Sequence, residues 1–320
     1  MNERSNKEKQ VDYYKIFHPS EDIKLKNKIT QVGGLDTDMN GNLLVFHRGS
    51  RAWKFDSFLG NNFNKDKYKA IAENTLTLID VKKKTEIGSW GANRYYMPHG
   101  LTIDFENNIW VTDVGLHQVF KFSLDNLNEP ELVLGVEFTP GNDENHLCKP
   151  TDVSVSESTG HVFVSDGYCN QRIIEFDQNG NYLGSYEDKE KPLQVAHSVS
   201  LIEKLNLVCT VSRQEGRIVC FDITSRKKKY DIRHDDMKNC YAIEYDPNNQ
   251  LLHAATGYNS GQDAYGFTFY ADHENFGQFK QKWNSPKIEL NEVHDLALSP
   301  DGSTIYMGQL NGEIDEFTYE

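Results

Sequence analysis

Histidine recurs at one position in alternate copies of an internal repeat, and each copy continues into a short alternating apolar segment. The three are His99 in Pro-His-Gly-Leu, His197 in Ala-His-Ser-Val and His294 in Val-His-Asp-Leu. The intervening copies carry Thr151 and Tyr241 at the same position. If the copies close into a ring, every second one directs an imidazole at the axis. Three converging neutral imidazoles bind Zn²⁺ and leave one coordination position open for water or substrate, although other divalent ions also suit such a site.

Two arginines and a tyrosine are predicted to join the histidines at one end of the ring. In each repeat the residue before the first strand and the residue after the second lie at the same end, because the two strands are antiparallel. Arg48 and Arg213 follow the second strand in their repeats, and Tyr168 lies one residue further on. Guanidinium groups pair with carboxylates, and a phenol beside a metal and an arginine can have its pKa lowered and serve as a base. The set predicts a substrate with a carboxylate near a metal-binding oxygen, such as an α-hydroxy acid derivative.

The elements that must position these residues are β-hairpins. Each repeat reads as a strand, a turn rich in Asn, Asp and Gly, and a second strand, and the repeats begin near positions 35, 101, 153, 197, 241 and 294. Several repeats add a further strand, such as 118–122 or 172–176. This spacing is typical of propeller blades. We predict an all-β fold, a single six-bladed β-propeller over residues 11–320, preceded by a flexible segment of residues 1–10.

Ring closure is predicted to involve the N-terminal end of the chain. Residues Tyr13–Phe17 are expected to supply an outer strand to the C-terminal blade, because an open strand edge needs protection. Two separate β-domains are the alternative, which is disfavoured because no linker rich in Pro, Gly or Ser interrupts the repeat. The longest polar insertion, residues 61–74, is expected to form a loop or an extended connection of the first blade.

Composition and charge argue against several classes of protein. The chain has 34 Lys and Arg against 48 Asp and Glu, and the resulting net charge of −14 argues against nucleic-acid binding. It has no apolar run long enough to predict a membrane span. Residues Met1–Gln10 are polar and charged and lack the apolar segment of a signal peptide.

Longer segments of the chain resemble one family, the peptidyl-α-hydroxyglycine α-amidating lyases, which are six-bladed propellers of NHL-type repeats. The resemblance extends from about Val32 to the C-terminus and is strongest from Tyr95 to Arg172. The segments that carry it are Phe46–Gly49, Tyr96–Leu101, Trp110–Val114, Leu116–Phe120, Asn145–Val153 and Val164–Asn170. Their order and spacing are specific to this lyase family among NHL propellers. The chain departs from the family at Glu292-Val293, where the family has Met-Pro.

The resemblance implies roles for the residues already singled out and adds a second metal site. The implied assignments are zinc at His99, His197 and His294, catalysis by Tyr168, Arg48 and Arg213, and a structural Ca²⁺ held by Asp295 and the backbone carbonyls of Leu35 and Leu101. Carboxylate and carbonyl oxygens are the ligands that Ca²⁺ takes. Such a calcium ion would tie the first, second and sixth blades together near the ring closure.

The implied reaction is cleavage of a peptide ending in α-hydroxyglycine to a peptide amide and glyoxylate. Zinc lowers the pKa of the substrate hydroxyl, and Tyr168 as phenolate, or a metal-bound hydroxide, removes its proton. One arginine holds the terminal carboxylate and the other favours the phenolate, and either of Arg48 and Arg213 suits either task. The resemblance also implies a peptidylglycine α-hydroxylating monooxygenase acting upstream, and we expect the lyase to be a monomer.

Five cysteines are consistent with the family's two disulfides. The resemblance pairs Cys148 with Cys169 and Cys209 with Cys220, and it leaves Cys240 as a buried apolar residue. Cys209 and Cys220 fall on neighbouring predicted strands of one blade, which suits a cross-strand bond. Paired cysteines indicate an oxidising compartment, so we expect a secretory or extracellular location.

Two rival classes of propeller remain open from the sequence. A non-catalytic NHL propeller would bind protein partners across its face, but it has no need of three axial histidines beside Arg and Tyr. A Ca²⁺-dependent propeller lactonase or esterase would need mostly Glu, Asn and Asp around the axis, where this chain offers mostly His. Metal content separates the three, because zinc indicates the lyase, calcium alone the lactonase, and neither metal the binding scaffold.

Overall fold

Six antiparallel sheets surround one axis in the described part of the chain. The computed structural model describes Leu25 and residues 28–257, 264–284 and 292–318. In each sheet the strands follow one another in chain order from the axis outwards. The predicted six-bladed β-propeller is confirmed.

The first three blades contain the strand that carries His99 and the loop that carries Tyr168. Blade one consists of β1 (Val32–Thr37), β2 (Leu43–His47), an inserted hairpin of β3 (Phe58–Leu59) and β4 (Asn62–Phe63), β5 (Leu76–Asp80) and β6 (Thr85–Trp90). Blade two consists of β7 (Pro98–Ile103), β8 (Asn108–Asp113), β9 (Gln118–Ser123) and β10 (Leu132–Leu134). Blade three consists of β11 (Asp152–Val155), β12 (Val162–Asp166), β13 (Arg172–Phe176) and β14 (Tyr182–Tyr186). The insertion of blade one, expected at residues 61–74 as a loop or extended connection, spans residues 48–75 between β2 and β5 and includes this short hairpin.

The last three blades repeat the pattern and carry His197 and His294. Blade four consists of β15 (Ala196–Ile202), β16 (Leu207–Ser212), β17 (Arg217–Asp222) and β18 (Lys228–Arg233). Blade five consists of β19 (Cys240–Asp246), β20 (Leu251–Thr256), β21 (Gly266–Tyr270) and β22 (Phe279–Trp283). Blade six has three strands among the described residues, β23 (Val293–Leu298), β24 (Thr304–Gln309) and β25 (Ile314–Thr318). The predicted outer strand at Tyr13–Phe17 lies outside the described residues.

The ring closes between the first and last blades. The inner strand β1 packs beside both β7 and β23, and the Leu35 amide donates to Asp295 Oδ2 across 2.9 Å. Apolar faces of neighbouring blades pack against each other, as Trp110 and Val119 of blade two do with Ile174 of blade three. Burying one such side chain stabilises the fold by roughly 1.5–3 kcal/mol. The channel is therefore a rigid frame for whatever its inner strands present.

Helix is confined to two single 3₁₀ turns in the described residues, Glu203–Leu205 and Arg213–Glu215. Among those residues there is no helix with the length and apolar content needed to cross a membrane.

β-Bulges interrupt five of the six inner strands at the position of the histidines. The register shifts around Gly33 in β1, His99 in β7, His197 in β15, Tyr241 in β19 and His294 in β23. A bulge takes its residue out of the strand ladder and re-aims the side chain. The repeat position that holds the histidines in the sequence is therefore the position of a β-bulge in the channel wall.

Candidate metal centre

The three predicted histidines converge on one point of the channel. Ring centroids lie 4.7 Å apart for His99 and His197, 4.6 Å for His99 and His294, and 4.9 Å for His197 and His294. One nitrogen of each ring lies within 4.8 Å of the other two. The near-equilateral triangle, with all three side chains buried, is an arrangement that can bind one metal ion between the rings.

The neighbouring blade orients each imidazole. His99 Nδ1 lies 2.7 Å from the Thr151 carbonyl oxygen, His197 Nδ1 lies 2.8 Å from that of Tyr241, and His294 Nδ1 lies 2.8 Å from that of Gly33. A carbonyl only accepts, so each Nδ1 must carry the proton and donate it. The lone pair is then on Nε2, which is the atom left for a metal. Metal-binding histidines in proteins are commonly oriented in this way.

Electrostatics keep the three rings neutral. Burial lowers the pKa of His99, His197 and His294 well below the usual value. Repulsion between the rings lowers the pKa of His99 and His197 further, and the charges of Arg48 and Arg213 add to the effect. Only unprotonated imidazole binds a metal. The site is therefore in its metal-binding state at neutral pH.

The Tyr168 hydroxyl lies against two of the three histidines. Its hydroxyl oxygen is 3.0 Å from His99 Nε2 and 3.3 Å from His197 Nε2, and Arg213 Nη1 donates to it across 3.3 Å. Burial raises the pKa of the phenol, while Arg213 and Arg48 lower it, and burial outweighs both. The sequence led us to expect a lowered pKa beside a metal and an arginine. The arginines alone do not achieve that lowering.

Tyr168 is positioned by the loop that follows β12. A Cβ atom at Gly167 would lie 1.8 Å from the Ala196 carbonyl oxygen, so only glycine lets the loop approach blade four this closely. Cys148 and Cys169 form a disulfide next to Tyr168. Asp166 adds a buried ion pair with Arg172, 3.0 Å between Oδ2 and Nε. The loop is thus held on both sides of the tyrosine.

The two predicted arginines lie in the same site but in different surroundings. Arg48 is buried, and its guanidinium donates to the Pro98 carbonyl and the Gln31 side-chain oxygen, each at 3.0 Å. Burial lowers its pKa to about 10. Arg213 is only half-buried, with its guanidinium carbon 5.3 Å from the ring centre of Tyr168 and 5.0 Å from that of Tyr241. The hydrogen-bond partners described for Arg48 and Arg213 are all neutral groups. The positive charges of both guanidinium groups are therefore available to bind an anion.

Two aromatic residues of the site were missed from the sequence as functional candidates. Trp53 lies 5.1 Å from Tyr168 between ring centres, and its ring is 5.6 Å from the Arg48 guanidinium. The ring centres of Tyr241 and His197 are 4.9 Å apart. Tyr241 could have been found, because it shares the repeat position of the histidines. Trp53 lies in the insertion of blade one, where no repeat register indicates what it contacts.

A layer of carboxylates on the inner strands lies beyond the histidines, towards the other mouth of the channel. The predicted calcium ligand Asp295 belongs to it, together with Asp36, Asp152 and Glu244. Burial raises the pKa of Asp36 and of Asp152 to about 7. Burial and then repulsion from the other carboxylates raise the pKa of Glu244 and Asp295 well above the usual values. Only Asp295 of these four was predicted from the sequence as a ligand.

The two backbone carbonyls predicted for calcium lie on strands that approach closely. A Cβ atom at Gly34 would lie 2.4 Å from the Leu101 amide nitrogen, so glycine is needed where β1 meets β7. Asp295 Oδ2 accepts a hydrogen bond from the Leu35 amide. Asp295 thus lies beside β1. The strands that carry Leu35 and Leu101, β1 and β7, pack against each other. Oxygen donors of this kind suit a hard cation.

Both predicted disulfides are confirmed. Cys148 and Cys169 are 5.6 Å apart between Cα atoms, and Cys209 and Cys220 are 4.0 Å apart as a directly paired position of β16 and β17. Cys240 is free and buried, as expected.

Comparison with known proteins gives matches at three levels. The NHL repeat family model matches residues 95–122, which cover β7, β8 and nearly all of β9, and residues 147–176, which cover β11–β13. Streptogramin B lyase has a similar structure, with a TM-score of 0.57, 10% sequence identity and coverage of 96% of this chain and 98% of that one. At this identity the likeness shows a shared fold only.

Two curated relatives are much closer in sequence. Peptidyl-α-hydroxyglycine α-amidating lyase 2 from Drosophila melanogaster is 34% identical over 293 residues, which cover 88% of this chain and 68% of that protein. Peptidyl-glycine α-amidating monooxygenase from Mus musculus is 38% identical over 292 residues, which cover 87% of this chain but only 29% of the mouse protein. The chain therefore corresponds to less than a third of the mouse relative and to about two thirds of the fly lyase.

Proposed function

This chain belongs to the peptidyl-α-hydroxyglycine α-amidating lyase family, and from that premise we propose that it cleaves peptides ending in α-hydroxyglycine to a peptide amide and glyoxylate. The observation that carries the proposal is the buried triangle of His99, His197 and His294 with the Tyr168 hydroxyl 3.0 Å from one ring nitrogen. A non-catalytic propeller has no use for three neutral imidazoles whose lone pairs face one another.

The donor set fits one divalent cation, and zinc suits it best because three nitrogen ligands and an open position are typical of catalytic zinc. His99, His197 and His294 would hold the ion through Nε2, since each Nδ1 is engaged with a carbonyl. A divalent cation there would supply a Lewis acid that lowers the pKa of the neighbouring phenol and of a substrate hydroxyl. That contribution would offset the burial that raises the pKa of Tyr168.

Arg48 and Arg213 would bind the substrate carboxylate and bias Tyr168. Arg213 donates to the Tyr168 hydroxyl and is half-buried, which supports the role of favouring the phenolate. Arg48 is buried beside Trp53 with neutral hydrogen-bond partners, which supports the role of holding the carboxylate. A guanidinium in such a place forms strong charge-assisted hydrogen bonds.

Tyr168 would move the proton in both directions. As phenolate it accepts the proton of the α-hydroxyl group, the hydroxyl oxygen forms the aldehyde C=O of glyoxylate, and the bond between the α-carbon and the amide nitrogen breaks. The nitrogen takes a proton back from Tyr168, so the peptide amide leaves and the phenolate is restored. General acid–base catalysis of this kind contributes about 10²–10⁴-fold.

The second metal would be structural. Asp295 with the carbonyls of Leu35 and Leu101 is proposed to hold Ca²⁺ between the first, second and sixth blades. The raised pKa of the carboxylates in this layer supports the proposal, because buried carboxylates are stabilised in their charged form by a nearby cation.

The substrate chemistry also implies a partner and a compartment. An α-hydroxyglycine terminus must come from hydroxylation of a glycine-extended peptide, so we propose that a peptidylglycine α-hydroxylating monooxygenase acts before this lyase. The two disulfides support a secretory or extracellular location.

Release of glyoxylate from a short α-hydroxyglycine peptide tests the proposal. Metal-loaded protein is expected to release one glyoxylate per peptide amide, a chelator to abolish release, and added zinc to restore it. The glycine-extended peptide without the hydroxyl group is the control and is expected to stay intact. Absence of glyoxylate from the metal-loaded protein, or full activity after complete metal removal, would overturn the proposal.

A further inference from the structure

We propose that Trp53 and Phe58 form a subsite for the side chain that precedes α-hydroxyglycine, so that the protein favours peptides with an apolar, above all an aromatic, residue there. The inference rests on the proposed function and names the class of peptide that the same site would prefer. We call the two side chains, with the adjoining Leu59, the aromatic shelf.

The shelf continues the catalytic site outwards. Ring centres are 5.1 Å apart for Tyr168 and Trp53 and 5.0 Å apart for Trp53 and Phe58. Trp53 also lies against Arg48. A row of rings thus leads from the residue above the histidines along the insertion of blade one, and both Trp53 and Phe58 are half-buried, so part of each remains accessible.

The insertion that presents the shelf is held firmly in place. The Tyr68 hydroxyl donates to Asp56 across 2.7 Å, the Asn64 amide donates to the Ser57 carbonyl across 2.9 Å, and Phe63 is buried. The Nζ atom of Lys149, which lies just before the first strand of blade three, is 4.4 Å from the ring centre of Phe58. The shelf is therefore a preformed surface, which keeps the entropy cost of binding low.

The same insertion exposes two large apolar side chains. Leu59 is 62% exposed and Phe55 is fully exposed, at 105%. Neighbouring exposed apolar groups commonly mark a binding surface. Because Lys149 lies over Phe58, a basic side chain is expected to be disfavoured beside the shelf, whereas an apolar one gains contact area.

The distance between the histidines and the aromatic shelf fits the residue that precedes α-hydroxyglycine. The ring centre of Tyr168 is 5.4 Å from that of His99 and 5.1 Å from that of Trp53, so the ring centres of Trp53 and His99 are at most about 10.5 Å apart. Consecutive Cα atoms are about 3.8 Å apart. With the reacting carbon at the histidines, the preceding aromatic side chain spans the remaining distance to Trp53, and Phe58 extends the contact.

Paired substrates test the shelf. N-acetyl-phenylalanyl-α-hydroxyglycine is compared with N-acetyl-glycyl-α-hydroxyglycine, and the readout is the ratio of their kcat/KM values. We expect a ratio of roughly ten for the unaltered protein, and we expect Phe58→Ala to reduce it at least threefold. Phe105→Ala is the matched control, because Phe105 is 41% exposed at the other mouth of the channel. It should leave the ratio unchanged.

The contribution of Trp53 to the shelf is tested by the same ratio of kcat/KM values, because the rate alone would also report its packing in the catalytic site. Trp53→Ala is expected to slow both substrates, because Trp53 packs on Arg48 and Tyr168, but to slow the phenylalanyl substrate more. Trp53→Phe should recover most of the ratio.

The outcomes separate the two proposals. A ratio near one in the unaltered protein, or a ratio that Phe58→Ala leaves intact, would overturn the shelf while glyoxylate release still supported the lyase. Failure to release glyoxylate from either substrate would overturn the proposed function and the shelf with it.

Discussion

Two layers of the same channel carry opposite kinds of donor. At the bulges, His99, His197 and His294 present nitrogen lone pairs and lie beside two arginines. On the inner strands of blades one, three, five and six, Asp36, Asp152, Glu244 and Asp295 present carboxylate oxygens. Burial and mutual repulsion raise their pKa values.

The difference shows how one scaffold can hold two chemistries at once. The imidazole layer is neutral, so it suits a borderline ion such as zinc and leaves the arginines free for an anionic substrate. The carboxylate layer suits a hard ion such as calcium. It faces a cavity of about 420 Å³ at the far mouth, lined in part by Asp36 and Glu244. We infer that the first layer is for reaction and the second is for holding the ring together.

The largest effect should come from breaking the imidazole layer alone. His99→Ala is expected to lose the zinc ion and to lower kcat at least about a thousandfold, because the Lewis acid supplies several kcal/mol. Calcium content and the unfolding temperature should change little. Metal analysis measures the zinc and calcium content, and glyoxylate release measures kcat. His146→Ala is the control, since His146 is a half-buried histidine outside the triangle that pairs with Asp143. Normal zinc content in His99→Ala would contradict the three-ligand assignment.

The next effect should come from the side chains above that layer. Tyr168→Phe is expected to keep its zinc and fold but to lower kcat about 10²–10³-fold, because only the proton acceptor is lost. Arg48→Ala is expected to lower kcat/KM strongly through weaker carboxylate binding. Steady-state kinetics and circular dichroism check both variants. Turnover of Tyr168→Phe at the unaltered rate would remove the assignment of the base.

A smaller effect on activity, with a clear effect on stability, is expected from the carboxylate layer. Asp295→Asn should bind calcium weakly and lose the stabilisation that calcium confers, about 2.7 kcal/mol at a hundred times the dissociation constant. Zinc content should stay at about one ion per chain. Thermal unfolding with and without calcium measures the change, and exposed Asp125→Asn is the matched control. Equal calcium stabilisation in Asp295→Asn and the unaltered protein would place calcium elsewhere.

The smallest effect is a pH dependence confined to the calcium-free protein. Asp36 and Asp152 have folded-state pKa values raised to about 7 from 3.8. A raised carboxyl pKa favours the folded state at low pH, and this stability is lost as pH rises through the folded pKa. The unfolding temperature of the calcium-free protein should therefore fall by a few degrees from pH 5 to pH 8. Added calcium should raise the unfolding temperature more at pH 8 than at pH 5. A rise in stability over that range without calcium would contradict the shifts.

Local sequence pattern was enough to predict the six-bladed frame and where the proposed catalytic residues lie in it. Strand and turn signals recur with a regular spacing, and a residue's place within its repeat sets its place around the ring. This is why His99, His197 and His294 could be assigned to one point, and why Arg48, Arg213 and Tyr168 could be assigned to the same mouth. The resemblance to the lyase family added the disulfide pairs, both of which the structure contains.

Contacts between blades were decided only by the tertiary structure. The aromatic shelf depends on where an insertion from blade one meets Tyr168 of blade three, and the repeat carries no information on that distance. The carboxylate layer depends on Asp36 and Glu244 approaching across the axis, although each alone reads as an ordinary polar residue of a strand. The pKa of Tyr168 is likewise set by how deeply the closed ring buries the phenol. Repeat register is a property of neighbouring residues, whereas burial and charge interactions depend on residues that only folding brings together.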